Sequence, residues 1–185
     1  MDRIIMHWTA GGHRATGLDR KHYHEIVEGD GTRVLGDLLP EANLNTSDGR
    51  YAAHTRACNT GSIGLSMAAM AGAQESPFRA GGYPINTKQL DAFCEMVAEY
   101  ADTYGIPITR HTVLTHAEVQ PTLGIWQRGK WDITWLPGLS RPIDAIEAGD
   151  RLREMIREKM RIETPAPQPK RPMFGGLGGL FAGRR

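Results

Sequence analysis

Apolar residues first gather in Arg3–Trp8 (RIIMHW), a run stopped by Ala10-Gly11-Gly12, and this predicts a buried strand that hands its last residues to a loop. Strand alternation then puts His7 and Thr9 on one face, Met6 and Trp8 on the other. His22–Val27, Gly29-Asp30-Gly31 and Thr32–Leu35 together predict a hairpin, because glycine takes the positive φ of a tight turn at little cost. Ser62–Met70 (SIGLSMAAM) is a glycine-bounded apolar run that periodicity alone leaves open between a buried strand and a buried helix; it is read as a central strand. From Thr87 to Tyr104 the spacing changes: Leu90, Phe93, Val97, Tyr100 and Tyr104 lie on one helical face, Asn86 and Gln89 form a candidate capping box, and Gly105 and Pro107 end the element. Pro142–Ile162 repeats the helical spacing with Ile143, Ile146, Leu152, Met155, Ile156 and Met160 among dense charges, which predicts an amphipathic surface helix weakened in its middle by Gly149.

The chain has 185 residues, 40% of them hydrophobic, enough for one sizeable core. The expected organisation is a core over residues 1–140, a C-terminal helix over 141–163 packing on it, and a Pro/Gly-rich basic tail over 164–185, too poor in packable surface to order. A formal net charge of +1 argues against nucleic acid as a partner. Cys58 and Cys94 are too far apart for a CxxC metal or redox motif, so the fold is expected to stand without disulfides. The first apolar run is too short for a signal-peptide core, which gives the expectation of a protein made in the cytoplasm.

Three polar residues stand out against this background. His7 closes the first strand beside a glycine loop. His116 ends a second apolar lead-in, Val113-Leu114-Thr115. Asp132 follows Lys130 by two positions and shares its face if the segment is extended. Each has a plain structural reading, and sequence spacing does not join them. Two histidines and a carboxylate are nonetheless a recurring catalytic zinc set, three protein ligands leaving a fourth position for water.

The segments IIMHWTAGG, YHEIVEGDGT, HTRACNTGSIGLSM, VLTHAEV and GKWDITWLPG, in that order, resemble the zinc-dependent N-acetylmuramoyl-L-alanine amidases related to phage lysozyme-amidases and peptidoglycan recognition proteins. The resemblance runs from residue 3 to about residue 138. It implies an α/β fold with a central mixed β-sheet flanked by helices, and a peptidoglycan hydrolase with zinc (Zn2+) held by His7, His116 and Asp132. It also implies Tyr23 and Lys130 as active-site groups, and His54, Asn59 and Trp131, with Ser62 adjoining, along the substrate groove. The stretch between His7 and Tyr23 is shorter than the long helix of many relatives, so the groove wall there is expected to be reduced.

Several residues keep two readings. Glu25 could be a second acid–base group; Glu118 could steady a ligand or simply be solvated. Trp126, Trp131 and Trp135 could line a substrate wall or pack a loop. His13, His22, His24 and His111 are read as surface or structural, and Cys58 as a small buried residue. In the tail, Met173, Phe174, Leu177, Leu180 and Phe181 interleave with glycines between the basic ends Lys170-Arg171 and Arg184-Arg185, a pattern compatible with weak contact at an anionic membrane surface or with a plain unstructured tail. The expected protein is a monomeric phage or prophage endolysin reaching the wall through a holin. A cytosolic muropeptide-recycling amidase and a non-catalytic peptidoglycan-binding module are the alternatives.

Overall fold

The N-terminal isoleucine run forms β1 (Arg3–Trp8) at the interior of the sheet, as its burial on both faces requires. In the computed structural model, which describes residues 1–163, β1 pairs in parallel with β4 (Ser62–Met67) on one side and β5 (Val113–Thr115) on the other. Beyond β4 lies β2 (Glu25–Val27), also parallel, and then β3 (Arg33–Leu35), antiparallel to β2. The order β3-β2-β4-β1-β5 is therefore a mixed sheet. The tail expected from residue 164 lies outside the described residues. No helix among the described residues is long and apolar enough to cross a membrane.

The two faces of β1 go to different places. Ile4, Met6 and Trp8 enter the large core with Phe93, Met96 and Val97 of helix α2 (Thr87–Thr103), whereas Ile5 packs with Leu114 and Val119 in a much smaller cluster. His7 sits on this thinner side, near the carboxyl end of β1. The parallel strands β1, β4 and β5 all end at that edge, the usual place for a ligand in an open parallel sheet.

Local chemistry explains most boundaries and corrects some expectations. The expected strand from His22 begins only at Glu25, because His22 ends a six-residue helix, α1 (Gly17–His22), opened by a Thr16–Asp19 capping box. The strand from Ser62 ends at Met67, not Met70. Asn86 does cap α2, accepting a bond from Gln89 N, but Gln89 does not complete the box. Its buried amide instead donates to the carbonyls of Val27 and Ala68, tying α2 to the sheet. A 3₁₀ turn, Pro40–Leu44, and helix α3 (His116–Leu123) have no counterpart in the sequence-based reading.

Helix α4 (Ala145–Glu163) packs on α2 and reaches α3 and β5. Gly149 is the residue that permits this: a Cβ there would overlap the Glu118 carboxylate of α3. The glycine that weakens the helix on propensity grounds is the point where α4 admits the Glu118 side chain of α3. Arg153, one turn further on and 1% exposed, forms a two-point ion pair with Glu118 (2.7 and 3.0 Å) and also donates to Val113 O at 2.8 Å.

Candidate metal centre

Three elements deliver the candidate ligands to one point. His7 comes from β1 and is fully buried; His116 is the first residue of α3, where β5 ends. Asp132 comes from the loop after α3, and its carbonyl accepts from Ala117 N at 2.8 Å, which fastens that loop to the helix start. One ligand-type atom from each of the three lies within 4.8 Å of the other two. The Nδ1 atoms of His7 and His116 stand 3.4 and 3.3 Å from the same Asp132 oxygen.

The outer hydrogen bonds fix the ring tautomers. Gln127 is buried, and its Nε2 donates to Arg56 O at 2.9 Å, so its Oε1 is the acceptor that faces His116 Nε2 at 3.0 Å. His116 therefore carries its proton on Nε2 and turns the Nδ1 lone pair inward. On the other side, the Ser62 carbonyl, able only to accept, faces His54 Nε2 at 3.4 Å. His54 Nδ1 is then an acceptor for His7 Nε2 at 3.2 Å, with the Thr55 hydroxyl 2.8 Å from the same nitrogen. His7 Nδ1 also points inward, buried and without a hydrogen-bond partner. Burial lowers the pKa of His7 to about 4, with neighbouring His116 and Lys130 acting in the same direction and Asp132 opposing, so the imidazole is neutral.

Two lone pairs and a carboxylate thus converge in a buried space with no proton between them. Such a set of acceptors is unfavourable by itself and suits a cation. A tetrahedral metal taking two imidazole nitrogens and one carboxylate oxygen matches its chemistry, and zinc is the metal this donor set most commonly holds. Outer-shell bonds of the kind made by Gln127 and His54 are what orient metal-binding imidazoles.

The remaining site residues divide. Lys130 is exposed at the mouth of a cavity of about 390 Å³ that it lines with His54, His116, Gln127, Arg56 and Arg128. Tyr23 lies over His7, ring centroids 5.2 Å apart, and burial raises its pKa, with the Asp132 charge adding to the effect. His54 is buried behind His7, and its ring packs so closely on Gly64 that a Cβ there would collide with it. Asn59 turns its Oδ1 to the backbone amides of His54 and Thr55, holding their loop. Trp131 packs edge-on against Trp8 at 4.7 Å, and Trp135 is buried, donating to Leu139 O. Only Trp126 of the three clustered tryptophans is open, at 57% exposure.

Two carboxylates read as candidates belong elsewhere. Glu25 is bound by Arg33 at 2.7 Å and by the Tyr100 hydroxyl at 2.9 Å, on the α2 side of the sheet. Glu118 is fully buried, not solvated; besides pairing with Arg153 it accepts from Thr115 N at 2.8 Å, closing the capping box that starts α3 at His116. Gln127 and Thr55 carried no sequence signal of their role. Gly64 did carry one: a glycine inside a strand often marks a close approach.

Among solved structures, the chain is similar to an N-acetylmuramoyl-L-alanine amidase, LysC, from Clostridium intestinale, at 15% identity over 70% of this chain and 76% of that one, with a TM-score of 0.43. It is also similar to the Ph2119 endolysin of a Thermus scotoductus bacteriophage, at 19% identity over 85% and 83% of the two chains, TM-score 0.46. A third similar structure is bumblebee PGRP-SA, at 18% identity over 77% and 86%, TM-score 0.43. No curated protein matches the chain. Residues 1–138 match the family model described as N-acetylmuramoyl-L-alanine amidase, a span that includes all three candidate ligands as well as Tyr23 and Lys130, and the chain belongs to that family.

Proposed function

We propose that the protein is a zinc-dependent hydrolase that cuts the amide between N-acetylmuramic acid and L-alanine in peptidoglycan, and that it serves as a phage or prophage endolysin. The observation that carries this reading is the inward convergence of three unprotonated donors, His7 Nδ1, His116 Nδ1 and the Asp132 carboxylate, beside an open cavity. Family membership supplies the bond to be cut.

His7, His116 and Asp132 would hold the ion. Zinc supplies a Lewis acid that polarises a carbonyl and brings the pKa of water toward about 7. In the hydrolysis, water oxygen bonds to the lactyl carbonyl carbon, the C–N bond breaks, and the alanine nitrogen leaves with a proton. Lys130, at the cavity mouth, places a positive charge where the carbonyl oxygen becomes negative. Tyr23, its pKa raised by burial, keeps its proton at neutral pH and can donate a hydrogen bond to the reacting oxygens. His54 and Gln127 bind no substrate atom in this scheme; they hold the two imidazoles in the tautomer the metal needs.

The test is digestion of purified sacculi, with products separated by mass spectrometry. Free peptides beginning in L-alanine, alongside intact glycan strands, are expected. Binding to sacculi with no new alanine amino termini would replace the enzyme by a recognition module. Activity confined to soluble muropeptides would replace the endolysin by a recycling amidase.

A further inference from the structure

The three candidate ligands differ in what holds their backbones. His7 belongs to β1, a strand paired on both sides in the middle of the sheet. His116 and Asp132 depend instead on the first turn of α3: His116 is its first residue, and Ala117 N, one residue on, donates to Asp132 O at 2.8 Å. Two of the three donors therefore move with that turn. A helix of eight residues with Pro121 inside it has little stability of its own, so its start must be fixed from outside.

The outside support comes from α4, which lies beyond the span matched by the family model. The Glu118 carboxylate accepts from Thr115 N at 2.8 Å, and the Thr115 hydroxyl accepts in turn from Glu118 N at 3.3 Å, so the cap closes on both sides of His116. Arg153 grips both oxygens of that carboxylate and donates to Val113 O at 2.8 Å, joining β5 to the start of α3. Asp150, on the same helix, holds the guanidinium in place and is itself held by Arg110. Apolar residues often replace a buried ion pair with no loss of stability. What they cannot reproduce here is the pair of directed bonds to the backbone just before His116.

We infer that Glu118 and Arg153 are a positioning pair for the metal centre, fixing the first turn of α3 and with it the His116 imidazole and, through Ala117 N, the Asp132 loop. The inference rests on the zinc reading, in which neither residue touches the ion or the substrate. Donor atoms must meet a metal to within about 0.2 Å. A small rotation of the first turn of α3 would leave the fold standing while moving two donors at once out of that range. The Glu118 carboxylate has its place only because residue 149 is a glycine: a Cβ there would collide with both of its oxygens.

The experiment measures zinc affinity by competition with a chelator, alongside denaturant titration of the stripped protein, for the wild type, Glu118→Leu/Arg153→Met and Gly149→Ala. The stripped double variant should keep most of the wild-type stability while binding zinc about 10- to 100-fold more weakly. Gly149→Ala alters no charge and no ligand, and its methyl displaces the Glu118 carboxylate; it should weaken zinc binding by roughly threefold to tenfold. A pair that served the scaffold alone would let affinity follow stability, so wild-type affinity in the double variant would overturn the inference. Where that variant does not fold, wild-type affinity in Gly149→Ala overturns it instead. A wild type that binds no zinc refutes the metal centre, and the positioning role falls with it; zinc bound by the wild type and held equally well by the variants refutes the positioning role alone.

Discussion

Two buried polar clusters lie two residues apart along α3, and they are built on opposite principles. Glu118 and Arg153 satisfy each other: two hydrogen bonds between them, a third from Thr115 N to the carboxylate, a fourth from the guanidinium to Val113 O. His7, His116 and Asp132 are also buried, but the two imidazoles are hydrogen-bonded only through their outer Nε2 atoms, and their Nδ1 atoms face the same Asp132 oxygen as acceptors. A closed cluster is part of the scaffold. An open one is a place for something else. The same helix start serves both, since the Thr115–Glu118 capping box that completes the first cluster fixes the backbone from which His116 enters the second.

The contrast breaks most sharply on removing a member of each cluster. His116→Ala should lower zinc binding and amide hydrolysis to background while leaving the melting temperature of the metal-free protein almost unchanged, since it removes one of three mutually unfavourable acceptors. Metal analysis and calorimetry on the stripped protein check both halves. Arg153→Met should instead cost about 3–5 kcal/mol of stability by stranding the Glu118 charge. Denaturant titration should show most of that loss recovered in Glu118→Leu/Arg153→Met, where no charge is left.

Gln127→Leu tests the outer support of the open cluster. It should weaken zinc binding about 10- to 100-fold with little change in fold, because His116 loses the acceptor that sets its tautomer. Competition with a chelator would read this directly. The smallest effect belongs to Asp150, half-buried at the edge of the closed cluster. Bonds from Arg110 and then Arg153 lower its carboxyl to about 2, so its contribution is present above the ordinary carboxylate pKa of 3.8 and lost as pH falls through about 2. Asp150→Asn should flatten the stability–pH curve between about pH 4 and 2 and change little at neutral pH.

How much of this the sequence disclosed follows from the range of the interactions. His7 was legible because strand alternation is local: one run of six residues predicts which face it takes, and the split of Ile5 from Ile4, Met6 and Trp8 between two apolar clusters matches. α2 was legible from spacing and its Asn86 cap. α3 was hidden by Pro121 inside an eight-residue segment, although Thr115 and Glu118 spell its cap. The tautomer-setting contacts were not legible at all, because Gln127 acts on His116 and Arg56 across 11 and 71 residues of chain. Gly149 misled for the same reason. Propensity reads it as a weak point, and only the packing of α4 on Glu118 shows that a larger residue has no room.

The central claim is that the His7, His116 and Asp132 cluster holds the zinc that drives cleavage of muramoyl–alanine amides. It is tested by titrating zinc into chelator-stripped protein while counting new L-alanine amino termini released from sacculi. Termini should be absent without metal and rise to a plateau at one zinc per chain. Full release from the stripped protein, or one bound zinc per chain with no release, would contradict the account.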